Sequence, residues 1–263
     1  MKNSFLQTSK LPVAFLDTGI GGLSIMHAAR KILPNEDFVY FADTQNAPYG
    51  NKPKNEITQH ILSCCWRVKS LSNPKAIVLA CNTATATSIA EVRASFNDTI
   101  IVGVEPAILP ALSQTYGQIL TISTVATLEY NTLIKQHMHK TNTSFLALPD
   151  LATLIDSSIH DLPSIQEKID YALLQFKNNI QSVVIGCTHY SFVKPQIAQA
   201  LGGKVVFFDS APGVAHRLRF CLARDGLLNK TKQTGSTRIY TTCGSLETRM
   251  QMNMFLTNTL PTS

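Results

Sequence analysis

The sequence has no apolar run long enough to cross a bilayer. Its first residues, MKNSFLQTSK, carry neither an apolar h-region nor a small-residue cleavage site. A cytosolic, soluble protein with no signal peptide and no membrane partner is therefore expected. Charge is sparse, at 15% of residues. The net charge of +6 would suit an anionic partner, but the lysines and arginines form no run and no aromatics are interleaved with them. That pattern argues against a nucleic-acid role. The six cysteines, Cys64, Cys65, Cys81, Cys187, Cys221 and Cys243, include no C-x-x-C pair. A zinc site or thioredoxin-like motif is not expected, and free thiols are. There is no G-x-G-x-x-G, no P-loop, no metal-ligand cluster and no Schiff-base context. No cofactor and no metal are expected.

What is present is globular. Apolar residues make up 44% of 263, enough for one large domain or two small ones. Short β-rich runs fall at 13–17, 37–43, 76–81, 100–104, 118–123, 143–148, 182–187, 204–209 and 237–243. Helical patterns fill 23–33, 55–71, 84–96, 107–115, 126–139, 164–179, 192–201, 211–225 and 245–256. Several runs are apolar at consecutive positions, as strands buried on both faces must be. Alternation of this kind predicts an α/β fold with parallel sheets and helices on both faces. It counts against the all-β aspartic protease that FLDTGIGG (15–22) first suggests. No second Asp-Thr-Gly occurs either, so a protease would need a homodimer to supply one.

A weak internal repeat divides the chain. AIVLACNT (76–83) resembles SVVIGCTH (182–189), and each upstream partner, VAFLDTGIGG or ILTISTVAT, is a strand ending in a hydroxyl-bearing turn. Asp17 precedes Cys81 by 64 positions and Thr124 precedes Cys187 by 63. Glu105 follows Cys81 by 24, and Asp209 follows Cys187 by 22. Two similar α/β halves, each with one strand-end cysteine, are expected to face each other across a cleft, since ligands of open parallel sheets bind beyond the carboxyl ends of the strands.

Each of these cysteines leads into a helix, where backbone N–H groups favour an anion and should lower the thiol pKa. Two opposed thiols suit two-sided proton transfer at one carbon: one thiolate removes a proton and the opposite thiol delivers one, inverting the centre without a cofactor. Asp17 and His189 are placed to assist the two thiols. The glycines of DTGIGG let backbone approach a ligand, and NAPYGNKP (46–53) reads as a lid presenting Tyr49 and Gly50.

DTGIGG, PYGNKP, ACNTATA, GVEPAILPA and GCTHYSF, in that order, resemble the glutamate racemases of bacterial cell-wall synthesis, over about residues 12–256. The resemblance implies two flavodoxin-like domains related by a pseudo-twofold, 1–104 with 212–263 and 105–211, with the active site between them. It implies Cys81 and Cys187 as the acid/base pair, Asp17 assisting Cys81 and His189 assisting Cys187. It further implies that Asp17, Thr18, Tyr49, Gly50, Asn82, Thr83, Thr124, Thr127, Thr188 and His189 hold L- or D-glutamate. A homodimer is left open.

The chain departs from the family at several points. Thr18 stands for the usual Ser, and Ser123 for a Gly. Within LALPDLATLID, Leu148 stands for Cys and Asp156 for Glu. Aspartate-type relatives tend to carry Glu where this chain has His189, which favours glutamate as substrate. Alternatives from the sequence are an aspartate or other amino-acid racemase, a non-catalytic binding role including protection of a DNA-modifying partner, and a redox protein linking Cys81 to Cys187.

Overall fold

The computed structural model describes residues 8–243 and Met252. Among the described residues nine strands form in chain order: β1 (Val13–Asp17), β2 (Phe38–Ala42), β3 (Ala76–Leu79), β4 (Ile100–Gly103), β5 (Ile119–Ser123), β6 (Thr143–Ala147), β7 (Ser182–Gly186), β8 (Val206–Phe208) and β9 (Thr237–Thr241). Each lies on one of the expected runs, shortened by at most two residues at an end. All pair in parallel, in two sheets of order β4-β3-β1-β2-β9 and β6-β5-β7-β8.

The helices are α1 (Leu23–Ile32), α2 (Lys54–Ser72), α3 (Asn82–Ser95), α4 (Ile108–Gln114), α5 (Val125–Tyr130), α6 (Thr132–His137), α7 (Leu151–Ser158), α8 (Leu162–Leu173), α9 (Lys194–Ala200) and α10 (Ala211–Arg224). The helix expected over 245–256 lies outside the described residues except for Met252, which is helical and buried. Among the described residues no helix is long and apolar enough to cross a membrane.

Strand burial explains the sequence pattern. β1, β2, β3, β5 and β7 are buried along their whole length, while the edge strands β4, β6, β8 and β9 are partly exposed. A central strand of a parallel sheet is covered by helices on both faces, so its residues are apolar without alternation. The two sheets share the order 2-1-3-4, with β5, β6, β7 and β8 occupying the places of β1, β2, β3 and β4. β9, from beyond the second sheet, returns to flank β2, and α10 packs on α1. One continuous apolar core runs from Phe15 and Tyr40 of the first half to Leu120 and Val183 of the second.

Three helical segments differ from expectation. The pattern over 126–139 is two helices, because Asn131 is extended and its side chain caps α6 by accepting from Ile134 N–H at 2.9 Å. The segment over 192–201 opens as a 3₁₀ turn, Thr188–Val193, beginning directly after Cys187. Helix α7 was not expected at all; it is short, and Asp150 before it is left-handed at φ 64°.

Candidate active site

In sheets of order 2-1-3-4 the chain leaves neighbouring strands in opposite directions between the first and third, and the crevice there receives ligands. In the first sheet those strands are β1, which ends at Asp17, and β3, which leads through Ala80 to Cys81. In the second they are β5 and β7, which are followed directly by Thr124 and Cys187. The two crevices face each other, and Thr18, Cys81, Thr83, Thr124, Cys187 and His189 line one cleft. The loops carrying Tyr49–Gly50 and Leu148–Asp150 close its sides.

On the first wall Cys81 is the N-cap of α3, 7% exposed. Burial pushes its thiol well above the ordinary thiol range, and the nearby Asp17 charge adds to this. The N–H groups of Ala84 and Thr83 act the other way. The helix start therefore favours the thiolate as expected, but desolvation outweighs it. Asp17 is also buried, which raises its carboxyl pKa, against His189 and the N–H groups of Gly22 and Thr18. Its Oδ2 accepts from Gly22 N–H at 2.6 Å and Tyr40 O–H at 3.1 Å. Its Oδ1 has no hydrogen-bond partner among the described residues.

On the second wall Cys187 Sγ lies 3.8 Å from His189 Nδ1, and His189 Nε2 lies 2.9 Å from Asp156 Oδ2. Burial alone would push this imidazole down, but Asp156, with Cys187 beside it, holds it well above the ordinary histidine range. Asp156 also binds the first half, its Oδ1 accepting from Ile20 N–H at 3.1 Å. Where the walls meet, Thr83 Oγ1 is 2.9 Å from Thr124 Oγ1 and 3.2 Å from Thr127 Oγ1.

The glycine turn serves this meeting of walls. A Cβ at Gly21 would lie 2.5 Å from both His189 Nδ1 and Thr188 Oγ1, and one at Gly19 would lie 2.3 Å from Asp156 Oδ2. Neither glycine has positive φ. They are needed for space, so that side chains of the second half can reach the turn, whereas the sequence suggested close approach of a ligand.

In the 46–53 loop Tyr49 is buried and donates its hydroxyl to Asp43 Oδ2 at 2.6 Å. Asn46 Nδ2 reaches both Asp43 oxygens at 3.0 Å. Gly50 packs on Thr124 and its carbonyl accepts from Ala126 N–H at 3.1 Å, joining the loop to the second half. At the mouth Asn51 Nδ2 donates to Asp150 Oδ1 at 3.3 Å.

Of the sequence-predicted residues, Thr18, Tyr49, Gly50, Cys81, Thr83, Thr124, Cys187 and His189 line the cleft. Asp17, Asn82, Thr127 and Thr188 stand behind that lining, buried. All six cysteines are free thiols, so Cys81 and Cys187 are not cross-linked. Asp43 and the second contact of Asp156 were missed. Asp43 ends the run DFVYFAD as Asp17 ends VAFLD, and that parallel was the available signal. Among the described residues no group of three His, Cys, Asp or Glu is arranged to hold a metal ion.

No protein-family model matches the chain. A glutamate racemase of Clostridium novyi (strain NT) is 35% identical over 240 residues, 89% of this chain and 92% of that protein. The chain belongs to the glutamate racemase family. The crystal structure of glutamate racemase isoform RacE1 from Bacillus anthracis matches with a TM-score of 0.81 at 28% identity, covering 93% of this chain and 92% of that one. Glutamate racemase from Francisella tularensis, crystallised in complex with D-glutamate, matches with the same score and identity over 96% and 95%. As a glutamate racemase the protein is an isomerase.

The glycine turn gives a direct test. Gly21→Ala pushes His189 and Thr188 off their positions, and His189 has little freedom because Asp156 holds it. A misplacement near 1 Å costs on the order of 10²-fold in rate. Glutamate racemase kcat/KM should fall by about that factor, measured by chiral chromatography.

Proposed function

We propose that this chain racemises glutamate by a two-base mechanism, with Cys81 and Cys187 on opposite faces of Cα. The observation that carries the reading is that two strand-end thiols, at equivalent places in two sheets of the same order, line one cleft. L-Glutamate would lose its Cα proton to the Cys187 thiolate while the Cys81 thiol delivers one to the other face; D-glutamate would follow the reverse path. Burial and the Asp17 charge keep Cys81 protonated, as the proton donor to L-glutamate must be. His189, held by Asp156, stands 3.8 Å from Cys187 Sγ. His189 thus assists Cys187, and Asp17 assists Cys81.

Neither lysine nor arginine is among the residues lining the cleft. The two carboxylates of the substrate would therefore be held by hydroxyl and N–H donors: Thr83, Thr124 and Thr127, the helix starts at Asn82–Thr83 and Thr188–His189, and the Tyr49–Gly50 backbone. Thr18 and Asp17 would take the ammonium group. We assign residues 1–104 with 212–263 to one domain and 105–211 to the other. The return of β9 to β2 and the packing of α10 on α1 support that division.

Purified protein incubated with L-glutamate should approach an equal mixture of enantiomers, read by chiral chromatography; L-glutamate left unchanged would refute the activity. Aspartate should be a poor substrate. Donors spaced for the longer acid are left unpaired by the shorter one, at roughly 1–3 kcal/mol. Comparable kcat/KM for the two acids would contradict the pocket assignment.

A further inference from the structure

The Tyr40 hydroxyl sits, fully buried, among groups that matter to the first wall. It donates to Asp17 Oδ2 at 3.1 Å and to Gly19 O at 2.8 Å, so its one proton is shared between the carboxylate and the glycine turn. With Gly22 N–H at 2.6 Å, it makes Oδ2 the fully occupied oxygen of Asp17 and leaves Oδ1 alone, buried and without a partner among the described residues. A Cβ on Gly22 would lie 3.0 Å from the Tyr40 hydroxyl, so the turn is shaped around it. In the sequence Tyr40 reads only as one more aromatic in a buried strand.

We infer that Tyr40 is a positioning residue for the racemisation: it pins Oδ2 of Asp17 so that Oδ1 is the oxygen offered to the Cys81 side of the reaction. The hydroxyl also bridges Asp17 to the turn that meets Asp156 and His189, so the carboxylate orientation is set by the same contact that sets the turn. Without the Tyr40 donor the carboxylate is less firmly held against rotation about its Cβ–Cγ bond and can offer either oxygen. The inference rests on the proposal above that Asp17 assists Cys81.

Tyr40→Phe removes one hydroxyl and leaves the ring packing. Loss of one hydrogen bond to a carboxylate is worth about tenfold, so kcat/KM should fall by about that factor. It should fall equally for L- and D-glutamate, because the enantiomers have equal energy and the ratio of the two kcat/KM values is tied to that equilibrium. The groups facing Asp17 are His189, Asp156, Cys81 and Tyr40. Losing a donor to the Asp17 anion should move the acid limb of the kcat/KM profile to higher pH. Placing 3,5-difluorotyrosine at position 40, which keeps the fold and strengthens the donor, should move it lower.

The decisive comparison is a double-mutant cycle. In an Asp17→Asn background, Tyr40→Phe should cost nothing more, since its effect passes through the carboxylate. Multiplied losses in the double variant, or a Tyr40→Phe enzyme within twofold of the parent, would overturn the inference. An unshifted pH profile in both position-40 variants would do so too. A fully active Asp17→Asn enzyme would instead refute the assignment of Asp17 on which the inference rests.

Discussion

Alanine at Cys187 should abolish racemisation in both directions, by at least the roughly 10²–10⁴-fold that one general acid–base group contributes. Each direction needs one thiolate and one thiol, so removing either sulfur removes a base from one direction and an acid from the other. Cys81→Ala should therefore fail in the same way. No variant can retain racemisation of one enantiomer alone, because equal energies of L- and D-glutamate force kcat/KM to fall together. Folding is not expected to suffer, since each sulfur sits at the cleft lining and not in the centre of a sheet. Thermal melts should stay close to the parent while chiral chromatography shows no product. Near-normal turnover in either variant would sink the mechanism.

The largest stability effect is expected far from the cleft. Lys75 and Glu36, 0% and 2% exposed at their side chains, form an ion pair before the amino ends of β3 and β2. Lys75 also donates to the carbonyls of Ser9 and Leu227, and Glu36 accepts from Asn229 N–H at 2.8 Å. The pair thus ties the returning chain to the base of the first sheet. Lys75→Met leaves a buried carboxylate without its cation, which costs about 3–5 kcal/mol. For a chain of this size that is a fall in melting temperature on the order of 10 °C. Adding Glu36→Gln removes the orphan charge and keeps an acceptor for Asn229, so the double variant should recover much of the loss. A Lys75→Met protein as stable as the parent would contradict this account.

The positions of the strands and the burial of the central ones were legible because a doubly covered parallel strand admits only apolar residues, and such runs are hard to mistake. The two thiols were legible because a repeat placed them identically in two halves. What escaped depended on long-range contact. Nothing local to LATLIDSS announces a helix whose Asp156 reaches both His189 and Ile20 N–H, 33 and 136 positions away. Asn131 looked like one more residue of a helical pattern until its side chain capped the following turn. The purpose of Gly19 and Gly21 is written in the opposite wall, since it is Asp156, Thr188 and His189 that need the space. The Cys81 pKa went astray for a related reason: the helix start is visible in the sequence, but the depth of burial that outweighs it is not.

The central claim, two bases on opposite faces, is tested most directly by racemising L-glutamate in deuterium oxide and reading Cα by NMR at low conversion. A thiol that has just taken the substrate proton returns that same proton on reversal, while the opposite thiol delivers one from solvent. Early D-glutamate should carry deuterium at Cα and recovered L-glutamate should not. Deuterium entering recovered substrate as fast as product would mean a single exchangeable base, and would contradict the two-thiol account.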